Sequence, residues 1–117
     1  MKYLLMCCTE EKGYAAMSKS EIDALMEETA AYCQALHKNG HLVMSEALEP
    51  VQTATTVRVR NGTLSTTDGP FAETKEQFGG FFLINARDLN EAIQVAARFP
   101  SVRLGSMEVR PVRERPR

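Results

Sequence analysis

Residues 67–80 read Thr67-Asp68-Gly69-Pro70-Phe71-Ala72-Glu73-Thr74-Lys75-Glu76-Gln77-Phe78-Gly79-Gly80. The stretch concentrates backbone-special residues and carboxylates, and it separates a hairpin pattern from a buried-strand pattern. Gly69 precedes a proline, which pushes it out of the helical region, and Pro70 fixes its own φ. The Asp68 side chain can fold back onto the following amides as an Asx-type turn. Pro70 is then placed to open a single helical turn that Gly79 and Gly80 end. A carboxylate beside the positive end of such a turn stays ionised, which suits Asp68 to the role of base or anchor.

Immediately upstream, residues 56–60, Asn61-Gly62 and residues 63–67 spell a hairpin with a two-residue type I′ turn. In that register Val59 faces Leu64 on one side and Arg58 faces Ser65 on the other. Downstream, Phe81-Phe82-Leu83-Ile84 predicts a strand buried on both faces. Asp88 and Glu91 form a capping pattern for a helix whose narrow face carries Leu89, Ala92, Ile93, Ala96 and Ala97, with Pro100 ending it. Residues 106–111 predict the last strand. Further upstream, residues 2–8 are apolar in both alternating sets, and residues 9–17 predict a polar loop. Ser18 and Glu21 form a capping box. Ile22, Leu25, Met26, Thr29, Tyr32, Cys33 and Leu36 then recur at helical spacing, up to the stop at Asn39-Gly40. Residues 41–48 predict a second strand, Glu49-Pro50 breaks it, and residues 51–54 predict a loop.

The order strand, helix, strand, hairpin, strand, helix, strand predicts an α+β, ferredoxin-like antiparallel sheet with two helices on one face. One domain spans residues 1–117. Two helices cover one face only, yet the first strand and residues 81–84 are apolar on both. A two-fold dimer packing sheet against sheet, a dimeric α+β barrel, is the simplest cover for the second face. The net charge of −1 supplies no global field for nucleic acid, and no apolar run nears a membrane span. The start, residues 1–8, is too short in its apolar part for a signal sequence and is followed at once by acidic residues. With three cysteines and no disulfide framework, a cytoplasmic protein is expected. No metal-ligand spacing is present, because Gly40 separates His37 from His41. The basic tail, with Arg110, Arg113, Arg115 and Arg117, reads as solvated.

The DGPFAETKEQ…GGF block resembles the signature of the DGPF-type branch of the YCII-related family of small bacterial proteins. The likeness extends to residues 1–6, the first helix, residues 45–48, residues 54–58 and residues 108–112. It implies the same ferredoxin-like subunit and barrel dimer, with a small-molecule pocket. Some members resemble enzymes in which a histidine on the first helix and an aspartate matching Asp68 remove halogen from an aromatic diol without metal or cofactor. Aligning the first helix puts Thr29 at the histidine's place, and threonine cannot shuttle a proton near neutral pH. The expected site therefore has Asp68 and Glu46 as its acid–base candidates. Thr29, Ser45, Arg58, Gly69, Pro70 and Phe71 are its ligand-binding candidates, and no metal or cofactor is involved.

Each of these residues has a plainer reading beside the functional one. Asp68 is also ordinary turn chemistry. Glu46 shares a strand face with Met44 and Leu48, which makes it either a pocket group or a partner of Arg58 or Arg60. Thr29 also suits a core hydroxyl bonded to its own helix. Cys7 and Cys8, on a central strand, read as core rather than as nucleophiles. Two functions remain open: a cofactor-free lyase or hydrolase acting on a small polar or aromatic compound, and a small-molecule binding or sensing module.

Overall fold

A computed structural model describes residues 1–115; Arg117 of the basic tail lies outside the described residues. Three α-helices and six strands follow in the order β1 (Lys2–Thr9), α1 (Glu11–Ala15), α2 (Lys19–Lys38), β2 (Leu42–Ala47), β3 (Thr55–Arg60), β4 (Thr63–Asp68), β5 (Gln77–Asn85), α3 (Leu89–Ala97) and β6 (Gly105–Pro111). Short 3-10 turns occupy Val51–Thr53 and Pro100–Arg103. The main sheet runs β2-β5-β1-β6 with every neighbouring pair antiparallel, while β3 and β4 form a separate two-stranded sheet. This order is consistent with a ferredoxin-like α+β fold carrying the hairpin as an insertion between β2 and β5.

The helix starts follow their caps. Ser18 accepts from the Glu21 amide while Glu21 accepts from the Ser18 amide, and Asp88 accepts from the Glu91 amide. At the other end of α2, Gly40 takes φ +84°, which releases the chain towards β2. Helices α2 and α3 lie on the same face of the sheet. There Leu36, Ala92, Val95 and Ala96 join Tyr3, Leu5 and Ile84 in one buried core. Phe99, just past α3, is its hub: the ring is 1% exposed, stacks on Phe82 at 4.0 Å and meets Tyr32 edge-on at 4.7 Å.

Several expectations need correcting. The polar loop before Ser18 contains α1, a five-residue helix with no side-chain cap, so no local signal announced it. No helical turn follows Pro70. Thr74 Oγ1 donates to the Glu76 carbonyl (2.6 Å) and Gln77 Nε2 to that of Thr74 (2.6 Å), side-chain bonds that replace a helical ladder. Gly79 and Gly80 do not end a helix but lie inside β5, which starts at Gln77. Cys7 pairs with Gly80 and Cys8 with Phe78, so Gly79 is the extra residue of a bulge. At Gly80 a Cβ would sit 3.0 Å from the Glu46 carbonyl oxygen, so the close approach of β2 asks for glycine. The buried face of α3 is Ala92, Val95 and Ala96, not Leu89, Ile93 and Ala97, and it continues at helical spacing into Phe99. Met26 is 64% exposed and lies off the α2 stripe.

The second face of the sheet has no helix over it. Register places Leu4 beside Leu83 and Met44, and Met6 beside Phe81 and Glu46. Along the β6 edge the same two rows end in Arg110 and Glu108, which form an ion pair with each other. The protomer is flat, 49 × 47 × 19 Å. Its radius of gyration of 16.3 Å exceeds the about 13 Å expected of a compact chain this long.

Candidate functional site

Asn61 (φ 53°) and Gly62 (φ 74°) turn β3 into β4 as the sequence requires, with Val59 opposite Leu64 and Arg58 opposite Ser65. Asp68 closes β4 opposite Thr55. The next residue, Gly69, takes φ +98°, a value that favours glycine. Its amide donates to the Ala54 carbonyl (2.7 Å), and its own carbonyl accepts from Thr56 Oγ1 (2.8 Å). The Asp68-Gly69 corner is thus tied to the start of β3. The Asp68 carboxylate, Pro70 and Phe71 all face solvent, Phe71 at 80% exposure. Among the described residues the Asp68 carboxylate has no hydrogen-bonding or ionic partner, so no Asx turn forms.

Beyond the corner the chain is anchored again at Gln77. Its Oε1 accepts from the Glu11 amide (2.9 Å), and Glu11 Oε2 accepts from the Val51 amide (3.0 Å). These two bonds tie α1, the 3-10 turn and the start of β5 together. Sequence reading passed over Glu11 and Gln77 because both partners are distant in the chain.

Glu46 lies on the open face of the sheet, in the row with Phe81 and Met6. Its pairing with Arg58 or Arg60 does not occur among the described residues; Arg60 NH1 donates to the Val59 carbonyl instead (3.1 Å). Ser45, one residue earlier, pairs with Phe82 and points to the helix side. Thr29 lies on the α2 stripe as expected, and its hydroxyl donates to the Leu25 carbonyl (2.9 Å). The candidate residues therefore divide into three groups: Thr29 and Ser45 on the helix side, Glu46 on the open face, and Arg58, Asp68, Gly69, Pro70 and Phe71 in the hairpin and its exit. Three clefts of the protomer are lined by other residues. One of them, about 180 Å³ between α2 and α3, holds Tyr32, His41, Glu91 and Arg98.

The three cysteines are half-buried, and Cys33 packs against the core. Burial pushes the Cys8 thiol up, and the neighbouring Cys7, Glu108 and Glu76 push it further; burial alone pushes Cys33 up. A thiol held protonated is a poor nucleophile. Among the described residues no group of three or more His, Cys, Asp or Glu side chains is arranged to hold a metal ion, and no helix is long and apolar enough to cross a membrane.

The chain is thus an α+β protein with an antiparallel sheet and a hairpin insertion. The model of the YCII-related domain matches residues 1–115, and the chain belongs to that family. It is also similar to an uncharacterised protein of Rhizobium meliloti (strain 1021). The two are 37% identical over 114 residues, which cover 96% of this chain and 92% of that protein.

Proposed function

We propose that the chain, a member of the DGPF-type branch of its family, works in the cytoplasm as a homodimer with a small-molecule pocket at the cleft between protomers. In it, Asp68 serves as base or anchor for cofactor-free lyase or hydrolase chemistry. The observation that carries this reading is the uncovered sheet face. Leu4, Met6, Phe81 and Leu83 form a contiguous apolar centre with the unpaired Glu46 in the same row. A second sheet packed about 10 Å away would bury both rows. It would also bring Glu46, as a second acid–base group, into the same cleft as Asp68. Gly69, Pro70 and Phe71 would line the hairpin side of that cleft; Arg58, on the ribbon face opposite Asp68, and Ser45 and Thr29, behind the sheet, would stand outside it.

The reading is tested by sedimentation of the full chain at micromolar concentration, followed by a thermal-shift screen of small polar and aromatic acids and diols. The expected result is a dimer burying at least ~1,200 Å². It should be stabilised by a ligand class whose effect is lost in Asp68→Asn and Glu46→Gln. A folded monomer overturns the reading.

The second reading, a binding or sensing module, draws on Thr29. Its hydroxyl is engaged by the Leu25 carbonyl, and no proton shuttle stands where related proteins carry histidine. A ligand that stabilises the chain and is recovered chemically unchanged after prolonged incubation decides for this alternative.

A further inference from the structure

The β3–β4 hairpin is a two-stranded sheet of its own, hydrogen-bonded to no strand of the main sheet. Isolated two-stranded ribbons are marginal in water, and one with an apolar face is more so. Register puts Val57, Val59, Leu64, Thr66, Thr55 and Asp68 on one face of this ribbon. On that face Val57, Val59 and Leu64 are 61%, 59% and 65% exposed. Together they present roughly 300 Å² of contiguous apolar surface, as much as the largest patch on many whole monomers. The opposite face carries Thr56, Arg58, Arg60, Thr63, Ser65 and Thr67, a polar set suited to water. The ribbon is thus amphipathic, and its apolar side is largely exposed among the described residues.

We propose that the hairpin is an arm that clasps a second copy of this chain. It would lay Val57, Val59 and Leu64 on that copy and carry Asp68 into the shared interface, so that each candidate site is completed in trans. This rests on the sheet-to-sheet dimer proposed above and adds to it a partner-supplied carboxylate. Three observations select a second copy as the occupant. The same chain offers a complementary surface at the β2 rim of the open face, where Val43, Met44 and Leu48 are exposed. The protomer's extent and radius of gyration are those of a body with a projecting element. Two arms and the two surfaces they cover come to roughly 1,200 Å², the size a specific interface needs. A two-fold dimer makes the exchange reciprocal, each copy giving one arm and receiving one.

Asp68 is the residue whose situation changes most. In the protomer its carboxylate is exposed and unpartnered, a poor setting for a base or an anchor. On the docked face it lies at the arm's root, in the same row of the ribbon as Val57, Val59 and Leu64. The division of the candidate residues among three surfaces then has a physical reason: one copy supplies the open-face carboxylate and the other supplies the corner.

The test uses the full chain and the double variant Val59→Asp with Leu64→Asp, whose substituted side chains face solvent in the protomer and leave its core intact. Sedimentation equilibrium should show the dimer of the double variant at least ~10-fold weaker than that of the unaltered chain. Carboxylate labelling with a water-soluble carbodiimide, read by mass spectrometry, should find Asp68 protected in the unaltered chain and freely labelled in the double variant. Phe81→Asp, on the open face, is the comparison. If Phe81→Asp separates the copies while the double variant remains a full-strength dimer with Asp68 labelled, the arm is wrong and the sheet-to-sheet reading stands. If the unaltered chain is itself a folded monomer, both fail together.

Discussion

Gly69→Ala isolates the one place where the candidate site depends on backbone geometry. A Cβ built at Gly69 meets nothing within 4 Å, so the substitution introduces no clash. The φ of +98° remains, and an L-residue held on that side of the map costs about 1–2 kcal/mol. If the corner relaxes instead, it gives up the Gly69 amide bond to Ala54 and the Thr56 bond to the Gly69 carbonyl, each worth about 1 kcal/mol. Both routes therefore lead to a similar loss. For a chain of 117 residues the unfolding entropy near Tm is roughly 0.25 kcal/mol/K, which converts the loss into a Tm lowered by about 4–8 °C. Gly13→Ala is the matched control. Gly13 lies within α1, also has open space for a Cβ and has no positive φ, so alanine should stabilise by about 0.5–1 kcal/mol. Differential scanning calorimetry of the two variants separates them by sign. A Gly69→Ala protein melting at or above the unaltered chain would mean that the corner is not held in its left-handed conformation, and the account of how Asp68 is positioned would go with it.

Gly105→Ala is expected to be costlier, because its Cβ would fall 2.3 Å from the Cys8 carbonyl oxygen and 2.9 Å from Thr9 Cα, both backbone atoms. A loss of about 2 kcal/mol or more, measured by urea unfolding, is the expected result, and a neutral outcome would contradict the β1–β6 pairing. Thr29→Val tests the helix-internal role of the hydroxyl: stability should change by no more than about 0.5 kcal/mol, and any ligand-induced stabilisation should persist. Loss of ligand response in that variant would return Thr29 to the site. Burial raises the pKa of Cys33, Tyr14 and Tyr32, and burial with neighbouring charge raises that of Cys8. The folded state thus holds these protons more tightly than the unfolded one. Their contribution is complete below the unfolded values and is lost as pH rises through the folded ones. The urea midpoint should accordingly be level near neutrality and fall above pH ~8.5–10. A midpoint that rises in that range would contradict the assigned directions.

Local chemistry made much of this fold legible. The two caps, the Asn61-Gly62 turn and the Asn39-Gly40 stop are decided by residues within four positions of one another, and each appears where the pattern put it. What escaped depends on distant partners. The short helix α1 has no cap of its own; the bonds from Glu11 to Gln77 and to Val51 hold it in place. The buried face of α3 runs in line with Phe99, whose ring meets Phe82 and Tyr32 across the core. Gly79 and Gly80 looked like a helix end because a bulge and a close strand approach use the same residue type as a stop signal. The candidate site was legible at the level of Thr29's position on its stripe and Glu46's position on its face. Period-two alternation already implied that consecutive residues Ser45 and Glu46, although assigned to one pocket, face opposite sides of the sheet, and the register has them so.

That last geometry bears on what kind of site the chain can build. Alternation along β2 means that Ser45 and Glu46 cannot serve one cavity within a single protomer, whatever the loops do. Asp68 stands on a ribbon outside the main sheet, so it gains a setting only from whatever covers that ribbon. A protein that used these residues inside one copy would have to reverse the register of β2 or fold the hairpin down over its own sheet. The first option would turn Met44 and Glu46 into the helix-packed core and expose Ser45, burying a carboxylate against apolar side chains at a cost of several kcal/mol. The second would have to rearrange the segments that lead into and out of the hairpin, where Glu11 holds the Val51 amide and Gln77 holds that of Glu11. The proposed second copy would satisfy both residues without either change, because it would cover the Glu46 row with a sheet and meet the Asp68 face of the ribbon at the same time. The two unexplained surfaces of the protomer, one flat and one projecting, would then be halves of a single reciprocal contact.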